Sequence, residues 1–452
     1  MQILKFGGTS MTDQKTWKNV LKIIGESEEP VVVVSATART TRQLIKSAEL
    51  AADGNLNEAT KIAENIFERH EGIIRGFFEN NGKPLKGDLI DDCLNRITDQ
   101  TDRLKSYLED ITDIGSLTLQ SRDAVAGIGE QISSYLLAKC GEAIGLNTCY
   151  VDARDIIKTD SVFGSAKPDF EITKMKSARI SEILKDGRIP IIGGFIGENE
   201  RGEPTTLGFE GSDYTASILG EILNSESITI WTDVSGIYTC DPRIIPGAKP
   251  IPDISFQQAT EMAYFGAKVL HPSTLKPAER KQIPVFVKNL FEPDHPGTKI
   301  FGVSGSDGTA KVISYRKNGV ELTLTSDSDK PGHKFLADVF SLLDLYQLPV
   351  DVVNTTEASV IIAVENNPKI PELNEQLMRL GTLEVAKDKG FITLIGLETN
   401  KSVEIIDRIV SVLGETKIDL ISFSASKKHL TLVLEEAELE SSVKKIHKTL
   451  FE

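Results

Sequence analysis

The sequence has little cysteine and little histidine, and the few residues of each type are scattered. Four cysteines (Cys93, Cys140, Cys149 and Cys240) stand far apart among 452 residues, without a CxxC pair. This spacing predicts reduced thiols and gives no sign of a disulfide framework. The six histidines form no HExxH motif and no cluster with cysteine, which excludes the common zinc-site patterns.

Long apolar runs and an excess of basic residues are also missing. No run approaches the roughly 18 apolar residues that a membrane helix needs, and the start lacks a basic-then-apolar signal pattern. We therefore expect a cytoplasmic protein without a membrane partner. With 66 acidic and 51 basic residues, the formal charge of −15 also argues against a nucleic-acid partner. Anions would have to bind in local basic pockets, so lysines that stand among glycines become informative.

Short apolar runs rich in valine and isoleucine alternate with helical patterns over the first two thirds of the chain. The runs are ILKF (3–6), PVVVVSAT (30–37), NTCYVDA (147–153), IPIIGGFIG (189–197), SITIWTDV (227–234) and IPVFVK (283–288). Continuous runs of this kind are typical of strands that are buried on both faces. We predict an α/β domain over residues 1–296, with a mostly parallel open sheet flanked by helices. Residues 56–112 have no strand pattern and are predicted to form a helical excursion from the sheet.

The sequence pattern changes after residue 296. A stretch rich in proline, glycine and serine predicts a linker over residues 297–312. Two similar units follow, predicted at 313–384 and 385–452, and each reads strand, loop, helix, strand, turn, strand. The two units are free to interleave. A duplicated α+β unit of this size is more often a ligand-sensing or dimerising module than a catalytic one.

Four polar stretches fall at the carboxyl ends of predicted strands, where ligands bind in open parallel sheets. They are KFGGTS (5–10), SATARTT (35–41), GFIGENERGEPTTLGFEGSDYTA (194–216) and WTDVSGIYTCDPR (231–243). In KFGGTS, two glycines let the backbone approach a phosphate, and Lys5 could reach the same anion. A tight turn with a lysine at its rim is an equally common meaning of so short a motif. Ser212 or Asp213 begins a second helix and could be no more than its cap.

Each of these motifs is weak evidence alone, but together and in their order along the chain they are specific for one family. KFGGTS, GIGEQISS (127–134), TTLG…GSDYTA, WTDVSGIYTCDPR and FGAKVLHP (265–272) occur in this order before the duplicated unit. The set resembles the aspartate kinases, which belong to the amino-acid kinase fold family and carry paired C-terminal ACT domains of ferredoxin-like α+β fold. The resemblance covers nearly the whole chain. Glutamate, acetylglutamate and uridylate kinases share the fold but lack this combination.

The resemblance implies transfer of the γ-phosphoryl of ATP, with Mg²⁺, to the β-carboxylate of L-aspartate. The product would be 4-phospho-L-aspartate, in the first step of lysine, threonine and methionine biosynthesis. The resemblance assigns catalysis to Lys5 and Asp213. It assigns ATP binding to Lys5, Gly7, Gly8, Thr9, Ser10, Thr232, Asp233, Tyr238, Arg243 and Lys268. It assigns amino-acid binding to Thr41, Glu130, Phe209, Glu210, Gly211 and Ser212. Asp213 would orient the lysines or hold the metal, and no other protein ligand of the metal is assigned.

The resemblance also implies an amino-acid effector and a homodimer formed through the ACT domains. It places the effector at Phe335, Leu336, Val350 and Asp351, where Asp351 could take the effector's ammonium. Asp329 and Gly332 differ from the lysine-sensing pattern, whereas Phe335 and Leu336 fit it, although at helical spacing such residues are more often core. Lysine, threonine, both and neither remain open as effectors.

One departure from the family pattern concerns the acceptor. The family usually reads TTLGRGGSD, with an arginine that binds the α-carboxylate of the amino acid, whereas this chain has Phe209 and Glu210 in TTLGFEGSD. Loss of a charge-assisted hydrogen bond costs about 1.5–3 kcal/mol if nothing replaces it. Arg154, Arg201 or backbone amides could replace it, and we favour a replacement donor. Alternatively, the chain is a kinase of a different small carboxylic amino acid, or a non-catalytic amino-acid sensor. Retention of Lys5, Asp213 and Lys268 argues against the sensor.

Overall fold

The computed structural model describes residues 1–79, 87–264, 272–302, 311–327, 332–397, 402–423 and 429–452. The strands are β1 Gln2–Phe6, β2 Pro30–Val34, β3 Thr148–Val151, β4 Lys158–Thr159, β5 Ile189–Gly193, β6 Ile196–Asn199, β7 Pro204–Thr206, β8 Ile228–Thr232, β9 Ile237–Tyr238, β10 Pro250–Ile251, β11 Asp253–Ile254, β12 Val285–Asn289, β13 Thr298–Ile300, β14 Val312–Ser326, β15 Val352–Thr355, β16 Ser359–Glu365, β17 Gly381–Ile395, β18 Ile418–Phe423 and β19 His429–Glu435.

The helices are α1 Gln14–Gly25, α2 Thr40–Ala52, α3 Leu56–Glu79, α4 Gly87–Ile114, α5 Leu119–Ala126, α6 Ile128–Ala143, α7 Ala153–Ile156, α8 Phe170–Lys185, α9 Gly211–Leu223, α10 Phe256–Tyr264, α11 Pro272–Lys281, α12 Gly332–Leu345, α13 Ile370–Leu377, α14 Ser402–Leu413 and α15 Glu436–Phe451. A short 3₁₀ turn, Gly8–Met11, follows β1. Among the described helices, none is long and apolar enough to cross a membrane.

The described residues of 1–237, 252–256 and 270–302 form a first compact unit. Its main sheet has, within those residues, the strand order β11-β13-β12-β8-β1-β2-β5-β3. All neighbouring strands are parallel except β12 and β13, which are antiparallel. β2, with the sequence PVVVV, is fully buried, as expected for a strand covered on both faces. The predicted α/β fold with a mostly parallel sheet is therefore confirmed.

The two faces of β1 have different neighbours, because successive side chains of a strand point to opposite sides. Leu4 and Phe6 pack into the large core that contains Trp17 of α1. Lys5 lies between them in sequence, and its ammonium reaches Asp213, near the start of α9. α9 thus lies on the face of the sheet to which Lys5 points. Residues 56–112 contain α3 and most of α4, whose apolar residues join the core on the other face.

The described residues of 238–251, 257–269 and 303–452 form a second compact unit. In the parts of the chain that the structure describes, its sheet has the order β15-β16-β14-β17-β19-β18 and is antiparallel. β14 is shared, because Val312–Arg316 pairs with the end of β17, whereas Gly319–Thr325 pairs with β16 and with the start of β17. The predicted pair of C-terminal α+β units is confirmed as a fold. Their predicted boundary at 384/385 stays a prediction and falls inside β17.

Candidate active site

The buried pair of Lys5 and Asp213 lies at the carboxyl end of β1. The Lys5 Nζ is 2.7 Å from the Asp213 Oδ1, and the two side chains are only 8% and 10% exposed. β1 supplies the lysine from the middle of the sheet, between β2 and β8. α9 supplies the aspartate from its first turn, next to buried Gly211 and Ser212. The structure therefore brings together the two residues predicted to be catalytic.

The glycine pair that follows Lys5 lies close to the lysine and to two neighbouring loops. A side chain at Gly7 would place its Cβ 3.6 Å from the Lys5 Nζ, and one at Gly8 would place it 3.4 Å from the Ala36 carbonyl. The Gly7 amide and the Ser10 hydroxyl both donate to the carbonyl of Trp231, at 3.1 and 3.2 Å. KFGGTS is thus joined to the end of β8 and lies against SATARTT. Thr9, between Gly8 and Ser10, is exposed.

A second glycine pair, Gly193–Gly194 at the end of β5, allows two helices to approach the sheet. A Cβ on Gly194 would lie 2.7 Å from the Ser212 Cα, and a Cβ on Gly193 would lie 2.9 Å from the Glu130 carbonyl. Distances below 3 Å leave no room for a side chain, so both positions require glycine. These glycines let α9 and α6 present Ser212 and Glu130 at the same edge of the sheet. The sequence analysis missed them, although two glycines at a strand end were a visible signal.

Glu130 is a buried carboxylate, and one of its two oxygens accepts a hydrogen bond within the described chain. Its Oε1 accepts a hydrogen bond from the Ala36 amide at 3.1 Å. Its Oε2 is buried and has no hydrogen-bond partner among the described residues. Burial raises the pKa of Glu130 from 4.5 to about 8, although the hydrogen bond from Ala36 and the charge of Lys5 pull the pKa down. A carboxyl group of this kind gains most from a positively charged ligand, because such a ligand would offset its desolvation.

The loop SATARTT is held by the helical excursion. The side chain of His70 is fully buried, and its Nε2 lies 3.1 Å from the Thr37 hydroxyl. Burial lowers the pKa of His70 to about 4, so its ring is neutral at pH 7. The Arg69 guanidinium donates to the Thr40 hydroxyl at 2.5 Å. Thr41, predicted to bind the acceptor, is the second residue of α2 and is half-buried. The sequence analysis missed Arg69 and His70, because a charged helix carries no local signal of this contact.

The segment that departs from the family pattern forms a strained helix start. Phe209 is 77% exposed. Glu210 precedes α9 with φ 53°, in the left-handed region that favours glycine, and its side chain does not cap the helix. The preceding TTLG stretch is fixed by Asp123, whose carboxylate accepts hydrogen bonds from the amide and the hydroxyl of Thr206, each at 2.8 Å. Asp123 is a further residue that the sequence analysis missed.

The residues predicted to bind ATP lie in both units. Thr232 and Asp233 follow β8 in the first unit, and the Thr232 hydroxyl donates to the Asp233 Oδ1 at 3.1 Å. Tyr238 and Arg243 belong to the second unit. There the Arg243 guanidinium pairs with Asp241, with an Nη2–Oδ2 distance of 2.6 Å, and this pair lowers the pKa of Asp241. Lys268 lies outside the described residues. The assignment of these residues to the nucleotide stays a prediction.

The residues predicted to bind an effector lie within the second unit. Phe335 is buried, and Leu336 and Val350 pack against the same core. Asp351 is paired with Arg316, whose Nη2 is 2.5 Å from the Asp351 Oδ1. Burial raises the pKa of Asp351, against the opposing effect of Arg316. An effector's ammonium would therefore meet Asp351 already neutralised by a cation of the chain itself.

A separate cavity of about 980 Å³ opens in the first unit beside β4 and β6. Lys158, Asp160, Glu198 and Arg201 contribute charges of both signs to its wall. The residues that line it include none of the predicted catalytic or substrate residues. Arg201, which sequence reasoning offered as a replacement for the family arginine, therefore faces a different cavity. Arg154, the other candidate, already binds the Asp152 carboxylate through its Nε and Nη2, at 3.0 and 2.6 Å.

The sequence of the chain matches a known family. The model of the amino acid kinase family matches residues 1–289. The chain belongs to the amino acid kinase family. Over its full length it is 32% identical to the chloroplastic aspartokinase 1 of Arabidopsis thaliana, of which it covers 80%. It is 31% identical to the lysine-sensitive aspartokinase 3 of Escherichia coli, of which it covers 99%.

Solved structures give the same result. The crystal structure of E. coli aspartokinase III in complex with aspartate and ADP matches with a TM-score of 0.83 at 31% identity, and all of both chains is covered. The structure of that protein in complex with lysine and aspartate matches equally well, at 30% identity. Within the family, therefore, this chain belongs to the aspartokinases and is an aspartate kinase, a phosphotransferase with a carboxyl group as acceptor.

Proposed function

We propose that the chain transfers the γ-phosphoryl of ATP to the β-carboxylate of L-aspartate at the Lys5–Asp213 site. The observation that carries this proposal is the buried ammonium of Lys5 at a glycine pair, next to the buried carboxylate of Glu130. One oxygen of that carboxylate, Oε2, has no hydrogen-bond partner among the described residues. Such a site offers a cation to a phosphoryl group and an anion to an amino group. Both are needed when the acceptor is an amino acid.

The chemistry of the acceptor explains why the site contains a charge pair and needs no general base. A free β-carboxylate has a pKa near 4 and is already ionised at pH 7. The enzyme must bring this anion to the triphosphate and stabilise the charge that spreads over the transferring group. Lys5 supplies that positive charge from a rigid strand, and Asp213 orients its ammonium. The backbone of Gly7 and Gly8 lets the phosphates approach closely.

Mg²⁺ would accompany the nucleotide. Magnesium in kinases is usually held by phosphate oxygens, waters and one or two carboxylates. Among the described residues, no group of three or more His, Cys, Asp or Glu side chains is placed to hold a metal ion. Asp213 is the buried carboxylate of the site that could contribute. When bound, the ion would neutralise charge on the β- and γ-phosphates.

Glu130 would bind the ammonium of the acceptor. Its buried Oε2 has no partner in the described chain, and a salt bridge to a substrate ammonium would supply one. This contact would select amino acids over simple carboxylic acids. It would also lower the pKa of Glu130 from its raised value, because a nearby positive charge favours the ionised form.

A hydroxylamine trap tests the proposal. Purified protein is incubated with ATP, Mg²⁺ and hydroxylamine together with L-aspartate, L-glutamate or succinate, and the acyl phosphate is trapped as a hydroxamate. We expect a signal with L-aspartate that far exceeds the others. A signal only with another acid would transfer the proposal to that acceptor. Absence of hydroxamate with every acid, from a folded protein, would support the sensor hypothesis instead.

Regulation would reside in the second unit. An amino-acid effector that used Asp351 would compete with Arg316, because the two already form an ion pair. Dimerisation through this unit is consistent with the partly exposed Val353, Val385 and Ile421 on its strands, which are 37–40% exposed. Light scattering at working concentration tests the dimer, and a monomeric mass would contradict it.

A further inference from the structure

Arg39 has an unusual backbone conformation for a residue with a long side chain. It stands directly before α2 with φ 68° and ψ −2°, in the left-handed region, and its side chain caps no helix amide. Glycine adopts this conformation without penalty, whereas other residues do so only against steric strain. Non-glycine residues in such conformations cluster at functional sites, where the surrounding structure holds them in place.

Residues on both sides of Arg39 lie close to the proposed acceptor site. Before it, the Ala36 amide donates to Glu130, and the Cα of Ala38 lies 3.9 Å from where a Cβ on Gly8 would be. After it, the Thr40 Cγ2 lies 3.2 Å from the corresponding position on Gly129, next to Glu130. Arg39 therefore follows residues that contact Glu130 and the Gly7–Gly8 loop, and it precedes a residue that packs against Gly129, the neighbour of Glu130.

The guanidinium of Arg39 is available for a ligand. The side chain is exposed, and within the described residues it makes no hydrogen bond or ion pair. The other basic residues considered for the acceptor are engaged or face elsewhere. Lys5 is paired with Asp213, Arg154 is bound by Asp152, and Arg201 lines the separate cavity.

L-Aspartate has an α-carboxylate that the groups assigned so far leave without a cation. Glu130 serves the ammonium, Lys5 serves the phosphoryl group, and position 209 carries an exposed phenylalanine. An arginine is well suited to the task, because its planar guanidinium can bind a carboxylate through two parallel hydrogen bonds. We propose that Arg39 binds the α-carboxylate of the acceptor and determines specificity for it. This proposal rests on the proposed aspartate kinase function.

The sharpest test compares two ligands that differ only in the α-carboxylate, L-aspartate as the substrate and β-alanine as a competing inhibitor. β-Alanine is aspartate without that group, and its inhibition constant against L-aspartate measures binding that cannot involve Arg39. In the full-length Arg39→Gly variant we expect the KM for L-aspartate to rise about 10- to 100-fold. The inhibition constant of β-alanine, the KM for ATP and kcat at saturating aspartate should change by less than about threefold. The melting temperature should stay equal or rise, because glycine fits φ 68°.

A matched control and a rescue accompany this variant. Arg42 is an exposed arginine one turn further along α2, and Arg42→Ala should leave all constants unchanged. Adding Phe209→Arg to Arg39→Gly should recover much of the lost affinity for aspartate, because it supplies a guanidinium beside Ser212. Both results together would establish that the binding depends on a cation at this site.

Three outcomes would overturn the proposal. They are an unchanged KM for aspartate in Arg39→Gly, an equal loss of β-alanine binding, and an equal effect of Arg42→Ala. Failure of the proposed function looks different, because the wild type would then yield no hydroxamate from aspartate. In that case the rise in melting temperature on adding L-aspartate, compared between wild type and Arg39→Gly, still decides the role of Arg39 without turnover.

Discussion

Replacing Lys5 with methionine removes the ammonium from the proposed site and keeps an unbranched side chain of similar length. The Lys5–Asp213 pair is 2.7 Å apart, and its side chains are about nine-tenths buried. Loss of one partner from such a pair costs about 3–5 kcal/mol, because the other charge is left buried and unpaired. We therefore expect substitution at Lys5 to destabilise the fold as well as to remove the ammonium. Lys5→Met alone should lose both turnover and stability.

A double variant separates the two effects. Lys5→Met with Asp213→Leu replaces the ion pair with apolar side chains, and replacements of this kind are often neutral or stabilising. We expect the free energy of unfolding of the double variant to lie within about 1–2 kcal/mol of the wild-type value. Its turnover should nevertheless fall by a factor of about 10²–10³ or more, since a preorganised charge at the reacting group is missing.

Two assays check this prediction. Urea unfolding gives the free energy of unfolding, and the hydroxamate trap gives turnover at saturating ATP and aspartate. A double variant that is stable and inactive would support a catalytic Lys5. Turnover close to that of the wild type in the stable double variant would refute the role given to Lys5, since the charge pair would then be only a structural element.

Three further predictions follow from the same contacts. Glu130→Gln should raise the KM for aspartate about 10- to 100-fold at pH 8.5, and the wild-type KM should fall as the pH rises towards about 8, where Glu130 becomes ionised. Gly194→Ala should lower kcat, and it should lower the free energy of unfolding by about 1–3 kcal/mol. The reason is that a Cβ at this position would lie 2.7 Å from a backbone atom of α9. Arg316→Met should lower the melting temperature by leaving Asp351 buried and unpaired, and added lysine should restore part of the loss.

Each of these predictions has a control or a contrary result. Because the pKa of Glu130 is raised from 4.5 to about 8, the native state holds a proton that the unfolded chain has released. Its stability should therefore fall as the pH rises through that window, and Glu130→Gln should lack this fall. An unchanged pH dependence of unfolding would contradict the raised pKa. Gly72→Ala, where a Cβ meets nothing within 4 Å, should leave kcat unchanged. A lysine response equal in Arg316→Met and wild type would contradict the competition between the effector and Arg316.

The sheet could be predicted because burial on both faces leaves a local signal. A continuous apolar run such as PVVVV (30–34) predicts a strand that is covered on both faces, and β2 is formed by that run. The loop after β1 could be predicted for a similar reason. A lysine followed by two glycines at a strand end has few purely structural explanations once several such motifs occur in order.

The supports of the site could not be predicted, because they depend on approach between distant segments. Gly193 and Gly194 are needed because α6 and α9 pack against them. Both helices lie elsewhere in the sequence and meet these glycines only in the folded protein. His70 lies in a long charged helix, and nothing local indicates that its ring meets Thr37. Arg39 lies in SATARTT, a stretch that the sequence analysis singled out, but nothing local distinguishes this residue within it, since its significance comes from a positive φ.

The duplication was visible in the sequence, but its pairing was not. β14 and β17 are each 15 residues long and run side by side through both halves of the second unit. A boundary drawn between repeats assumes that each repeat closes its own sheet. Here a single strand contributes hydrogen bonds to both halves, and only the register of the ladder reveals this.

The central claim is that Lys5 and the Gly7–Gly8 backbone receive the triphosphate beside the acceptor. A crystal structure of the chain with a non-hydrolysable ATP analogue, Mg²⁺ and L-aspartate tests it most directly. We predict the γ-phosphate within hydrogen-bonding distance of the Lys5 Nζ, and the aspartate ammonium on the Glu130 Oε2. A triphosphate bound in the cavity beside β4 and β6, away from Lys5, would contradict the account.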